Sequence, residues 1–136
     1  MIATIPLLPD RVRKIQGSFA FIQHIFLRKG YWQELSQHGL LLYFFLVLVG
    51  DRQGLSFYNY DKICSLLGVC LEEYILARDE LIDKDLIAFD GRVFQVLSLP
   101  DQPVKADSNP LRSKEDMRTK DPATIRQIIS QELGVK

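Results

Sequence analysis

The strongest apolar signal in the chain is Leu40–Val49, a run with no charged or amide side chain. Ser36 stands where an N-cap belongs. The pattern predicts a helix from there to about Val49, apolar on every face in its second half. Such a helix is expected to be buried on most sides. DRQG (51–54) reads as a turn. In LSFYNYDKICSLLG (55–68), Ser56 or Asn59 caps a short helix with Tyr60, Ile63, Leu66 and Leu67 at helical spacing, and Gly68 stops it. The clearest helix is VCLEEYILARDELIDKD (69–85). Leu71, Tyr74, Ile75, Arg78, Leu81 and Ile82 share one face. Glu72, Glu73, Leu76, Asp79, Glu80 and Asp83 share the other. The period then changes to two. LIAFD (86–90), a tight Asp90-Gly91 turn and RVFQVLSL (92–99) predict a β-hairpin ended by Pro100.

The flanks are less regular. Residues 1–16 hold two prolines and a basic cluster without a period, and read as a flexible arm. SFAFIQ (18–23) is dense enough in aromatics for a short strand. HIFLRKG (24–30) suggests one helical turn closed by Gly30, and Tyr31 and Trp32 add bulk to the core. Residues 101–121 are polar, as in a linker. A last short helix over 121–134 is capped by Asp121, with Pro122 at its first position and Ile125, Ile128, Ile129 and Leu133 as its stripe. The expected organisation is an arm (1–16), one folded domain (17–100) and a polar linker with a possible C-terminal helix (101–136).

Composition narrows the class. A chain of 136 residues with 47% apolar and 25% charged residues suits one ordinary α+β domain. The longest apolar run is far below the roughly 18–20 residues that span a bilayer. With no secretory signal pattern either, a cytoplasmic protein is expected. Cys64 and Cys70 are too few for a disulfide framework or metal cluster and read as small core residues. The 17 basic and 17 acidic residues cancel, which disfavours binding by bulk charge. They are unevenly spread: residues 1–30 carry Arg11, Arg13, Lys14, Arg28 and Lys29 against Asp10 alone, whereas 51–100 are net acidic. No P-loop, GxGxxG, HExxH or paired CxxC occurs, and His24 and His38 stand apart from any nucleophile. No enzyme, cofactor, metal or small-molecule substrate is expected.

Helix, turn, helix, hairpin is the order of a winged helix-turn-helix domain. The segment DKICSLLGVCLEEYILARDELIDKDLIAFDGRVFQVLSLP resembles that family's pattern. A short helix ends in Leu-Leu-Gly, a longer one carries Ala-Arg and Leu-Ile, and a Leu-Ile pair enters the wing. The preceding LLLYFFLVLVGDRQGLSFY is similar to the first helix and loop of winged-helix modules in plasmid and phage replication initiators and replisome organisers. The resemblance covers about residues 18–100. It implies a DNA-binding protein of replication or transcription regulation, with residues 71–83 as recognition helix and 90–92 as the wing.

The charges on that helix depart from the family's habit. A helix in the major groove runs between two phosphate rows, yet its outer face here is acidic. Two functional readings follow. In the first, double-stranded DNA is held by the arm (Arg11, Arg13, Lys14), by Arg52 and Lys62 around the turn motif, and by Arg92 at the wing. In the second, the domain is an interaction or dimerisation module whose face of Glu72, Glu73, Leu76, Asp79 and Glu80 meets a basic partner, with Ile125, Ile128, Ile129 and Leu133 docking on a second chain.

Overall fold

A computed structural model describes residues 4–104, 122–124 and 126. Its elements run α1 (Ile25–Arg28), α2 (Gln37–Val49), β1 (Leu55–Ser56), α3 (Tyr60–Leu67), α4 (Leu71–Asp83), β2 (Ile87–Phe89) and β3 (Phe94–Val96). The fold is α+β. Its antiparallel sheet has the order β1-β3-β2, with Ser56 opposite Phe94 and Ala88 opposite Gln95.

Local signals set most helix ends. The Ser36 side chain accepts from the Gly39 N–H at 3.1 Å and starts α2. Asn59 caps α3, and Gly68 closes it in the left-handed conformation with its N–H on the Cys64 carbonyl. Helix α4 begins with a capping box. The Cys70 Sγ accepts from the Glu73 N–H, and the Glu73 carboxylate accepts from the Cys70 N–H at 2.9 Å.

The core lies where α2, α4 and the sheet meet. Leu42 and Leu46 come from α2, Tyr74, Ala77, Leu81 and Ile82 from α4, Ile63 from α3, and Ile87, Phe89 and Phe94 from the strands. Phe26 extends it by stacking on Tyr43 at 4.8 Å. Contacts continue past residue 100. The Tyr31 hydroxyl donates to the Pro100 carbonyl, and the Lys84 ammonium donates to the Val104 carbonyl at 3.0 Å. Ala123 is fully buried, and the buried Arg78 donates from Nη2 to the Thr124 hydroxyl at 2.9 Å. Residues 122–124 and 126 are helical. Ile125, Ile128, Ile129 and Leu133 lie outside the described residues.

Several expectations need correction. SFAFIQ forms no strand, and every residue from 18 to 23 is exposed. Its side chains line a cleft beside Tyr43 and Val47 instead of pairing on the sheet. The strand that does pair is β1, whose two residues are too few to show alternation; Ser56 lies in it, and the cap is Asn59 alone. The hairpin connection spans residues 90–93 rather than two. Helix α2 is not buried on most sides. Leu41, Phe44 and Leu48 are exposed at 40%, 59% and 63%. Trp32 is half-exposed and touches Phe26 edge-on, and Cys70 is an exposed cap, not a core residue.

One close approach locks the sheet to the end of α2. Gly54 has φ +82°, and its carbonyl accepts from the Val96 N–H at 2.9 Å. A Cβ there would lie 2.6 Å from the Val96 carbonyl oxygen, a backbone atom that cannot swing away. Gly54→Ala is expected to lower stability by about 2–4 kcal/mol, combining left-handed strain with overpacking. A urea titration checks this, and an unchanged midpoint would refute it.

Candidate functional site

The hairpin loop is built by one side chain. Asp90 Oδ1 accepts from the N–H of Val93 at 2.8 Å and of Arg92 at 2.9 Å. Those bonds, Val93 first, hold the Asp90 carboxyl below its ordinary pKa. Below the loop, Phe89 and Phe94 stack at 4.1 Å and fix the strands. Arg92 is thereby aimed across the sheet edge, its guanidinium carbon 5.9 Å from the centre of the exposed Phe57 ring. Phe57 follows β1 and precedes the Asn59 cap of α3. Lys62 lies exposed in the first turns of α3.

Arg52 belongs elsewhere. Its turn, held by Asp51 Oδ1 on the N–H groups of Gln53 and Leu55, meets β3 at Val96, the end away from Arg92. There Arg52 lines an open cleft of about 910 Å³ with Gly17–Gln23, Tyr43, Val47 and residues 96–99. Arg11, Arg13 and Lys14 are exposed on the arm that leads into that cleft wall. Arg52 and Arg92 therefore stand at opposite ends of β3, not on one continuous positive face.

The acidic face of α4 is largely engaged within the molecule. Glu73 closes the capping box and lies 3.4 Å from His38 Nε2 of α2, an ion pair when the imidazole is protonated. The Cys70 N–H and then its thiol lower the Glu73 pKa. Glu80 reaches the N-terminus of α2, accepting from the Ser36 hydroxyl at 2.8 Å and the Ser36 N–H at 3.2 Å. Asp79 Oδ1 accepts from Arg78 Nε and Nη2 at 2.9 and 2.7 Å. Outward there remain Glu72 and Leu76, the latter 65% exposed. The cations near this helix are withdrawn: Arg78 is fully buried, and the nearly buried Lys84 lies 3.6 Å from Glu34.

Sequence reasoning passed over Phe57 as a support for Arg92, and over the capping box of α4 and the reach of Glu80 to Ser36. A capping box places Glu at the third helical position, and Cys70 followed by Glu73 has that spacing with sulfur in place of a hydroxyl. Among the described residues, no group of three or more His, Cys, Asp or Glu is gathered to hold a metal ion, and no helix is long and apolar enough to cross a membrane. No family model, curated protein or solved structure matches the chain.

Two measurements test these assignments. Glu80→Ala should cost about 1–2 kcal/mol, a lost helix cap with its hydrogen bonds, while Glu72→Ala stays within about 0.5 kcal/mol. Equal effects in thermal melts would contradict the cap. A depressed folded-state pKa makes the Asp90 contribution complete above the unfolded value and lost as pH falls through the folded one. In an NMR titration the Asp90 carboxyl should therefore have its midpoint below the ordinary value of about 3.9. A midpoint at or above that value would contradict the loop geometry.

Proposed function

We propose that this chain is a non-enzymatic winged-helix protein that binds double-stranded DNA, of the kind used in replication or regulation on mobile elements. What carries the reading is the element order α2-β1-α3-α4-β2-β3 with a β1-β3-β2 sheet, whose hairpin aims Arg92 over Phe57 beside the start of α3. That arrangement matches a wing next to a helix-turn-helix. Arg92 and Lys62 contact phosphates. The arm cations Arg11, Arg13 and Lys14 grip the backbone further along. Helix α4 adds no phosphate contact, because Arg78 is buried and Glu72 faces outward. Binding is therefore electrostatic, with little selection of sequence.

A second reading rests on one observation. The exposed Leu76 beside Glu72, with no exposed cation on α4, suits an apolar and basic protein surface better than a phosphate row.

Fluorescence anisotropy with a labelled duplex of mixed sequence separates the two. The log–log salt slope counts phosphates at about 0.9 per contact. Arg92→Ala with Lys62→Ala should weaken binding and flatten the slope by about 2, and removal of residues 1–16 by about 3 more. No binding at 50 mM salt, or an unchanged slope in both variants, would overturn the DNA reading and favour the protein partner.

A further inference from the structure

The cleft beside the end of α2 carries chemistry that the fold does not use. Its wall of residues 17–23 pairs with no strand and adds no side chain to the core. Phe19 and Phe21 stand on that wall 68% and 74% exposed. The core rings pack on one another, Phe26 on Tyr43 and Phe89 on Phe94. Among the described residues, neither Phe19 nor Phe21 packs on another ring. Beside them, Ser18, Gln23, Gln53 and Ser98 bring donors and acceptors to the same cleft. Charge there is one-sided. Arg52 is exposed, whereas Asp51, the other charged side chain on the cleft, has Oδ1 held by the N–H groups of Gln53 and Leu55. The chain on either side of the wall adds cations alone. From residue 11 to residue 33 it carries Arg11, Arg13, Lys14, Arg28 and Lys29 and no carboxylate.

We infer that this cleft binds an unpaired strand of DNA, with bases against Phe19 and Phe21 and phosphates on Arg52 and the arm. The inference rests on the reading of the chain as a DNA-binding protein. Its residues lie at the end of β3 away from Arg92, so either can fail alone. Charge and ring chemistry select the occupant. An acid-free stretch of five cations calls for an anion. Two open phenyl faces call for flat apolar faces to stack on. A duplex keeps its base faces inside the stack and shows only edges and backbone. An unpaired strand offers base faces and phosphates together, which is how single-strand grooves made of aromatics and cations work. Size agrees: about 910 Å³ lies near the top of the roughly 300–1,000 Å³ range of small-ligand sites, and the cleft is open for a strand to run through.

Fluorescence anisotropy of the full chain with a labelled oligothymidylate of about 16 nucleotides tests the inference, because this probe does not pair with itself. Binding is expected at about 50 mM salt. Phe19→Ala with Phe21→Ala should weaken it at least tenfold. Phe19→Leu with Phe21→Leu, which keeps apolar bulk and removes the rings, should also weaken it at least threefold and serves should the first variant fail to fold. Arg52→Ala should weaken binding and flatten the log–log salt slope by about 0.7, one phosphate on a single strand. Leu66→Ala, exposed on α3, should leave affinity unchanged. Thymidine monophosphate should compete at least 100-fold more weakly than the strand. The mixed-sequence duplex, titrated with the same variants, separates the two sites. Strand binding that depends on Phe19 and Phe21 supports the cleft even where the duplex does not bind. A duplex that binds while the strand does not, strand affinity indifferent to both phenylalanine variants, or a mononucleotide that competes as well as the strand would overturn the assignment.

Discussion

A carboxylate of α4 ends one helix while belonging to another. Glu80 accepts from both the N–H and the hydroxyl of Ser36, at the point where α2 begins. A negative charge there also complements the helix dipole. The approach is close enough that a Cβ on Gly39, a turn into α2, would lie 1.9 Å from Glu80 Oε1 and push the carboxylate off its present position. The junction ties the start of α2 to the last turns of α4. Leu42 and Leu46 face the core with Tyr74, Ala77 and Leu81, and the remaining side of α2 is left outward.

The same junction changes what the charge pattern means. As a list of residues, α4 is an acidic surface. In the fold, Glu73 and Glu80 neutralise helix N-termini, and Asp79 answers a guanidinium that has no exposed surface. An acidic side chain used as a cap is less available to a basic partner and less repulsive to a phosphate than its count suggests. Its charge is partly balanced by backbone dipoles. This weakens the objection to DNA and the case for an acidic docking face together. The hairpin, α3 and the arm are left as the surfaces with cations to offer.

The α+β class, the helix limits at Ser36 and Gly68 and the buried face of α4 could all be read from the sequence. Each depends on residues close along the chain. What could not be read depends on partners far along it. Ser56 and Phe94 become neighbours only once α3, α4 and β2 have formed between them, and a two-residue strand leaves no periodic trace. Leu41, Phe44 and Leu48 are indistinguishable in sequence from Leu42 and Leu46, because an all-apolar helix does not say which side is covered. At the candidate site, the hairpin cation was legible as a type and position. Its support on Phe57, and the separation of Arg52 from Arg92 by the length of β3, required the sheet.

The hydrogen bond from Arg78 to Thr124 redraws the unit that folds. A guanidinium without exposed surface needs its acceptors in place, and one of them comes from beyond residue 120. Val104 is tied to Lys84 on the near side. The folded unit is therefore not closed at Pro100, because acceptors for two buried cations, Arg78 and Lys84, come from beyond it.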